Sequence, residues 1–252
     1  MRMPTQYVII EELLGVIEDH GVKADIFGAA KIGYVVYPEI VLLSFTDIEV
    51  VVDPNDQRIF DNLVRKAFST KPVRIKAPKS YDPSMGGLGL LKIMYDYVYP
   101  LPIEKYGFLR IVVAKGGLRD YFNPTRRVIS LTRYLRMYNE TPFEYSLAAK
   151  LLIPSEVFER GDCEEVIFGF MYSRDILPWS LSKLTKIVAS IARREPRYGL
   201  VIAKNINEVR KYLETRLFHL LISEKKRVSR LLRYLDKIES TISHQQFMTA
   251  RF

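Results

Sequence analysis

Residues 46–53, which read TDIEVVVD, constrain the fold more than any other segment. Their β-branched apolar residues predict a buried β-strand, in which side chains point alternately to the two faces of a sheet. One face then carries only apolar residues: Ile48, Val50 and Val52. The opposite face carries Asp47 and Glu49, about 6–7 Å apart along the strand, so both carboxylates can reach one divalent cation or a pair of cations. An edge strand with a solvated face shows the same alternation. The neighbouring segments are therefore needed to distinguish a metal-binding strand from such an edge strand.

The segment before this strand has the pattern of a phosphate-binding turn. Residues 23–27 predict a short strand that ends at Gly28, and residues 29–37 predict a helix that ends at Pro38. A glycine at such a junction lets the backbone approach a phosphate closely, and the helix N-terminus offers its N–H groups to the anion. An ordinary strand-to-helix turn is the alternative.

Residues 90–98 predict another strand, followed by a turn that prolines mark. By alternation, Lys92, Met94 and Asp96 share one face of this strand. If the strand lies beside residues 46–53, Asp96 is a third carboxylate for the cation and Lys92 meets a phosphate. The alternative is that both are exposed strand residues with no role in binding.

The remaining patterns divide the chain into an α/β part and a helical part. Further strands are expected at residues 72–76, 108–114 and 128–131, with a loop at 77–89. Helices are expected at residues 6–20 and 57–68, and in most of the chain from about 142 to 235, including one long basic helix at 207–238. We therefore expect an α/β (α+β) fold, with a mixed sheet flanked by helices and a C-terminal helical extension. The expected domains are residues 1–140, residues 141–240 and a C-terminal tail at 241–252.

Composition limits the classes of protein to which the chain can belong. Hydrophobic residues make up 48% of the 252 residues, which indicates a globular protein. The single cysteine, Cys163, excludes a disulfide framework or a thiolate zinc cluster within one chain, so we expect a reducing, intracellular compartment. The three histidines lie far apart in sequence, which argues against a histidine-based zinc enzyme. No segment has the run of about 18 apolar residues that a membrane span needs, and we expect a cytoplasmic protein with no membrane association.

The formal net charge of +9 permits binding to a polyanion. The basic run at residues 224–233, EKKRVSRLLR, suits a phosphate backbone, so RNA or DNA is the expected partner of the C-terminal helices. A solvated helix face is the alternative for this run, and a protein partner is the alternative for the chain as a whole.

Five short segments occur in a characteristic order. They are Phe27-Gly28-Ala29-Ala30, Asp47-Ile48-Glu49, residues 91–96 (LKIMYD), residues 148–152 (AAKLL) and residues 160–166 (RGDCEEV). In this order they resemble the DNA polymerase β-like nucleotidyltransferase superfamily, and most closely its abortive-infection and toxin-type nucleotidyltransferases. The resemblance covers roughly residues 23–170 and implies a nucleotidyltransferase-like core within residues 1–140.

The resemblance also implies roles for individual residues. Asp47, Glu49 and Asp96 would bind Mg²⁺ and act as the catalytic carboxylates. The lysines would neutralise phosphate charge, and the small residues would approach the triphosphate of a nucleoside triphosphate (NTP). The residues implied at the nucleotide are Gly28, Ala29, Lys92, Lys150 and Asp162.

The implied activity is transfer of a nucleotidyl group to an RNA such as tRNA, or to a protein acceptor, with a toxin–antitoxin or defence role. The alternative is a catalytically degenerate family member that binds nucleic acid or protein. Ala29, at the second small position of the glycine motif, favours this alternative. Met94, where the resemblance places the third carboxylate, favours it as well.

Overall fold

The computed structural model describes residues 3–42, 45, 47–74, 95–103, 107–115, 138, 140–153, 155–156, 158–194 and 196–249. The strands in this part of the chain are β1 (Ala24–Phe27), β2 (Asp47–Val52), β3 (Val73–Arg74), β4 (Tyr95–Ile103) and β5 (Gly107–Lys115). Its helices are α1 (Thr5–Asp19), α2 (Gly28–Val36), α3 (Gln57–Phe68), α4 (Phe143–Leu151), α5 (Arg160–Ile176), α6 (Leu181–Arg194), α7 (Pro196–Arg216), α8 (Phe218–Ser223) and α9 (Lys225–Thr249). The strand expected at 128–131 and the loop expected at 77–89 lie outside the described residues.

The five strands form one mixed sheet in the order β1-β2-β5-β4-β3. β2 is antiparallel to β1 and parallel to β5. β4 is antiparallel to both of its neighbours, β5 and β3. With its helices this sheet makes an α+β fold, as the sequence predicts.

Two hydrophobic cores lie on opposite faces of the sheet. Ile48, Val50 and Val52 of β2 pack in one core with apolar residues of α1 and α3. Val51 packs in the second core with apolar residues of α2 and of the helices from α4 to α9. The predicted alternation of β2 is thereby confirmed, and it places Asp47 and Glu49 on the face that the C-terminal helices cover.

β4 continues beyond the predicted strand, through Pro100 and Pro102, where we expected a turn. β3 pairs only with Tyr97 and Val98 of β4. No strand of the described residues therefore flanks the outer side of β4 at the two prolines. Edge positions tolerate proline because its missing N–H group is not needed there for pairing.

The basic helix expected at 207–238 is instead a succession of α7, α8 and α9, interrupted at Leu217 and Glu224. A straight helix of that length would extend about 48 Å, so its two ends could not pack on one core, whereas the folded succession buries both α7 and α9. The tail expected at 241–252 is helical through Thr249, because Ile238 and the buried Ile242 continue the apolar face of α9. No helix in the described residues is long and apolar enough to cross a membrane.

The second core crosses the domain boundary expected near residue 140. Phe27 and Val51, from the sheet, belong to the same core as Leu147 and Phe170, from the helices. The sheet and the helical part therefore share one hydrophobic core, and a site between them is built from residues of both parts.

A buried polar network joins the same two parts. Lys31 of α2 forms an ion pair with Asp25 of β1, and both side chains are largely buried. Thr141 donates its hydroxyl to the same Asp25 oxygen at 2.8 Å, just before α4 begins. The carboxylate of Asp25 thus holds the start of α4 against the first strand.

Replacing Asp25 by alanine should lower the free energy of unfolding by about 3–5 kcal/mol, because Lys31 would be left buried without its carboxylate. Urea unfolding followed by circular dichroism measures this loss. The double variant Asp25→Ala/Lys31→Met should lose less than Asp25→Ala alone, since it leaves no uncompensated charge. A loss below about 1 kcal/mol in the single variant would contradict the structural role of this pair.

Candidate active site

A cavity of about 210 Å³ lies where β2 meets α4 and α5. The residues from the N-terminal part of its wall are Ala29, Phe45, Asp47 and Glu49. The residues from the helical part are Lys150, Glu159, Gly161, Asp162 and Glu165. Five of the eight residues that the sequence predicts for the site therefore line one cavity: Ala29, Asp47, Glu49, Lys150 and Asp162.

Asp47 and Glu49 reach the cavity because β2 alternates. Both side chains are half-buried, and they share a face with Val51, which is buried in the second core. Where the face leaves that core, its side chains change from apolar to carboxylate. The strand thus supplies two neighbouring carboxylates to the cavity wall.

Gly28 accommodates the carboxylate of Glu49. Its φ of 62° is in the left-handed region that favours glycine. A Cβ atom at this position would lie 1.5 Å from Oε2 of Glu49. The Gly28 N–H donates to the hydroxyl of Ser146, 3.1 Å away on α4. The glycine thus makes room for a protein carboxylate, whereas the sequence predicted close approach of a phosphate.

Lys150 is the cation of the cavity wall among the described residues. Its Nζ lies 2.7 Å from Oδ1 of Asp162 and 2.5 Å from Oε2 of Glu165. Burial alone would lower the pKa of Lys150, but the attraction of Glu165 and Asp162 outweighs burial and holds this pKa above its usual range. The side chain therefore carries a full positive charge and cannot act as a neutral nucleophile.

Asp162 has two structural tasks. Oδ1 pairs with Lys150, and Oδ2 accepts a hydrogen bond of 2.9 Å from the N–H of Glu159. The second bond is half of a capping box, in which the Glu159 side chain accepts from the backbone at Asp162. The first turn of α5 is thereby fixed at the cavity, with the N–H groups of Glu159 and Asp162 engaged by protein side chains.

The strand that carries Asp96 does not lie beside β2. This strand, β4, is separated from β2 by β5, so its backbone is two strand spacings, about 10 Å, from β2. Arg110 and Val112 of β5 are the residues in register with Asp47 and Glu49. The condition for a third carboxylate was that the strand of Asp96 lies beside β2, and β4 does not. Lys92 lies outside the described residues.

The carboxylates of β2 suit magnesium even though they are only two. Among the described residues, no three Asp, Glu, His or Cys side chains form a group that could hold a metal ion. Mg²⁺ is commonly held by one or two protein carboxylates, with substrate phosphates and water completing its shell. Asp47 and Glu49 supply those hard oxygen donors at the cavity wall.

Three polar side chains at the site, those of Ser146, Glu159 and Glu165, were not among the predicted site residues. Glu165 follows Asp162 by one helical turn and Ser146 precedes Lys150 by one turn, so helical spacing carried a signal for both. Glu159 reaches the wall through the capping box, for which the sequence offers only a weak pattern. Cys163 is not a candidate nucleophile, because burial raises the pKa of its thiol to about 12.

Comparisons of the chain with protein-family models, with curated proteins and with solved structures find no significant match. The candidate site therefore rests on the residue types of this chain and on their geometry. Its central feature is a cavity with two strand carboxylates on one side and a paired lysine on the other.

Gly28→Ala should lower the free energy of unfolding by about 0.5–1.5 kcal/mol more than Gly21→Ala, because the Glu49 carboxylate, at the end of a flexible side chain, has to move. Both glycines have a left-handed φ, 60° at Gly21 and 62° at Gly28, so both variants suffer the same backbone strain. A Cβ at Gly21 meets nothing within 4 Å, whereas at Gly28 it displaces Glu49. Equal losses in urea unfolding would show that Glu49 does not occupy the space above Gly28.

Lys150→Met should lower the free energy of unfolding by about 3–5 kcal/mol near neutral pH, because the 2% exposed Glu165 loses its ammonium partner. A buried carboxyl binds its proton more tightly in the folded than in the unfolded chain. The stability of the variant relative to wild type should therefore rise from about pH 7 to about pH 5. Urea unfolding at both pH values measures this change.

The double variant Lys150→Met/Glu165→Gln is the control for that pH dependence. It removes the carboxyl that would titrate, so its stability relative to wild type should change less between the two pH values. If Lys150→Met were as stable as the wild type, Lys150 would not be the charge that neutralises the carboxylates of Asp162 and Glu165.

Proposed function

We propose that the cavity binds a nucleoside triphosphate together with Mg²⁺, and that the protein transfers a nucleotidyl group to an RNA, such as tRNA, or to a protein acceptor. The observation that carries the proposal is the meeting of Asp47 and Glu49 with Lys150 and Asp162 at one cavity. These residues belong to separate segments of the chain, and the resemblance to nucleotidyltransferases had assigned them to one site.

Different residues of the cavity wall would bind the metal and the phosphates of such a substrate complex. Asp47 and Glu49 would hold the metal through their carboxylate oxygens, and bound Mg²⁺ would neutralise phosphate charge and orient the triphosphate. Lys150 would offer its ammonium to a phosphate oxygen while Asp162 and Glu165 keep it in place. Ala29, with its small side chain, leaves the cavity open next to Glu49.

A second candidate function is that of a degenerate nucleotidyltransferase-like protein that binds nucleic acid or a partner protein. The specific observation in its favour is β5, the neighbour of β2. Its residues, GFLRIVVAK, include no Asp or Glu, so this strand offers no third carboxylate beside Asp47 and Glu49. Under this candidate the protein has the arrangement of the site but lacks the third carboxylate that catalysis would need. A toxin–antitoxin or defence role follows from the resemblance alone, for either candidate.

Titration calorimetry with each of the four common NTPs in the presence of Mg²⁺ tests the proposal. We expect heat of binding from at least one NTP, and at least about tenfold weaker binding by Asp47→Asn/Glu49→Gln, since this variant removes both metal-binding charges. The matched control is Glu18→Gln/Asp19→Asn, which makes the same charge change at exposed positions of α1 and should bind like the wild type.

Incubation with α-³²P-labelled NTP, RNA and a protein mixture then separates the two candidates. Label on RNA or protein that disappears in Asp47→Asn/Glu49→Gln supports transfer. Binding of NTP without transfer of label supports the degenerate candidate. Absence of heat with every NTP overturns the proposal that the cavity is a nucleotide site.

A further inference from the structure

One face of α9 carries a line of basic side chains. The apolar face of this helix is buried in the second core through Val228, Leu231, Leu235, Ile238 and Ile242. On its other side, a basic stripe follows the spacing i, i+4, i+7 and i+11, which keeps side chains on one face of a helix. The residues of the basic stripe are Lys226, Arg230, Arg233 and Lys237. The stripe is about 16 Å long.

The acidic residues around the stripe are already paired with arginines. Asp236 and Glu239 of α9 both pair with Arg210 of α7. Asp175, at the end of α5, pairs with Arg230 of the stripe and with Arg227 beside it. Arg230 is thereby fixed in place.

The other three cations of the stripe, Lys226, Arg233 and Lys237, are exposed. In the described part of the chain none of them is paired with a carboxylate. Their positive charges are therefore directed to solvent, with Arg233 making only a 3.4 Å contact from Nε to the carbonyl oxygen of Ser229.

We propose that the basic stripe of α9 binds the phosphate backbone of an RNA. A row of exposed lysines and arginines on a rigid helix matches a row of phosphates and releases the counterions that the phosphates had condensed. Contacts of this kind position a nucleic acid without reading its sequence. The identity of this RNA as the acceptor rests on the proposed function, whereas its binding to the stripe does not.

The composition of the exposed face of α9 favours RNA over a lipid surface. A helix that lies on a membrane needs an apolar face for the lipid, and the apolar face of α9 is in the core. Among residues 225–244, the part of α9 whose side chains the structure describes, the exposed positions outside the stripe are polar or charged, namely Lys225, Ser229, Asp236, Ser240, Ser243 and His244.

Fluorescence anisotropy with a labelled 30-nucleotide single-stranded RNA, measured over a series of salt concentrations, tests this inference. The variant is Lys226→Gln/Arg233→Gln/Lys237→Gln, which spares Arg230 because that side chain holds Asp175. We expect at least about tenfold weaker binding at about 0.1 M salt, and a decrease of about 2 in the slope of log K against log salt, since three phosphate contacts are removed. Circular dichroism checks that the variant is folded.

The matched control is Arg58→Gln/Arg65→Gln/Lys66→Gln on α3, which removes the same formal charge at exposed positions. α3 packs on the opposite face of the sheet from α9. The control should keep the slope of the wild type. Equal weakening in both variants, or no RNA binding by the wild type at about 0.1 M salt, would overturn the inference. Loss of binding to phosphatidylserine-containing vesicles with unchanged RNA binding would overturn it in favour of a lipid surface.

The two proposals fail separately. The stripe variant should bind NTP and Mg²⁺ like the wild type, and Asp47→Asn/Glu49→Gln should bind the labelled RNA like the wild type. RNA binding through the stripe without any NTP binding would leave the inference standing and overturn the proposed function. If the protein binds NTP but the stripe variant binds RNA as the wild type does, the proposed function stands and the inference about the stripe is overturned.

Discussion

The ammonium of Lys150, held between the carboxylates of Asp162 and Glu165, is the interaction on which the candidate site depends. Its side chain is only 12% exposed, so the charge is stable there only with its partners in place. Because Lys150 lies in the last turn of α4 and the two carboxylates lie in the first two turns of α5, the same pair of contacts also joins these helices. The helical wall of the cavity is therefore held by electrostatics at this point, in addition to the packing of both helices in the second core.

The opposite wall is set by close packing. Gly28 has no side chain, and the carboxylate of Glu49 occupies the space that a Cβ would need. Ser146 of α4 accepts from the N–H of the same glycine, so the helical part contacts this turn directly. Under the proposed function, a nucleotide would enter between a wall shaped by Glu49 and Gly28 and a wall held by the ion pairs of Lys150.

Under the two proposals, the basic stripe and the cavity bind phosphate groups in different ways. Carboxylates in the cavity wall can hold a phosphate only through a cation, such as Mg²⁺ or the ammonium of Lys150. Under the proposal, the exposed side of α9 would meet phosphates directly, because its acidic neighbours already pair with Arg210 and Arg227. Both proposals concern phosphate recognition, but they rest on different helices and can be tested by different variants.

The sequence by itself determined the local geometry. The period of two in β2 placed Asp47 and Glu49 on one face, and the ordered motifs named Lys150 and Asp162 as their companions. The placement of Asp47 and Glu49 follows from spacing along a single element, which backbone geometry fixes. Lys150 and Asp162 were named by the resemblance. Only the tertiary structure decided the order of the strands. It placed β5 between β2 and β4, so the strand of Asp96 is not adjacent to β2. Strand order depends on pairing between distant segments, and alternation within a strand carries no information about its neighbour. Only the tertiary structure showed that Glu49 fills the space at Gly28. It also showed that residues 241–249 continue α9, because the apolar face of that helix packs in the second core.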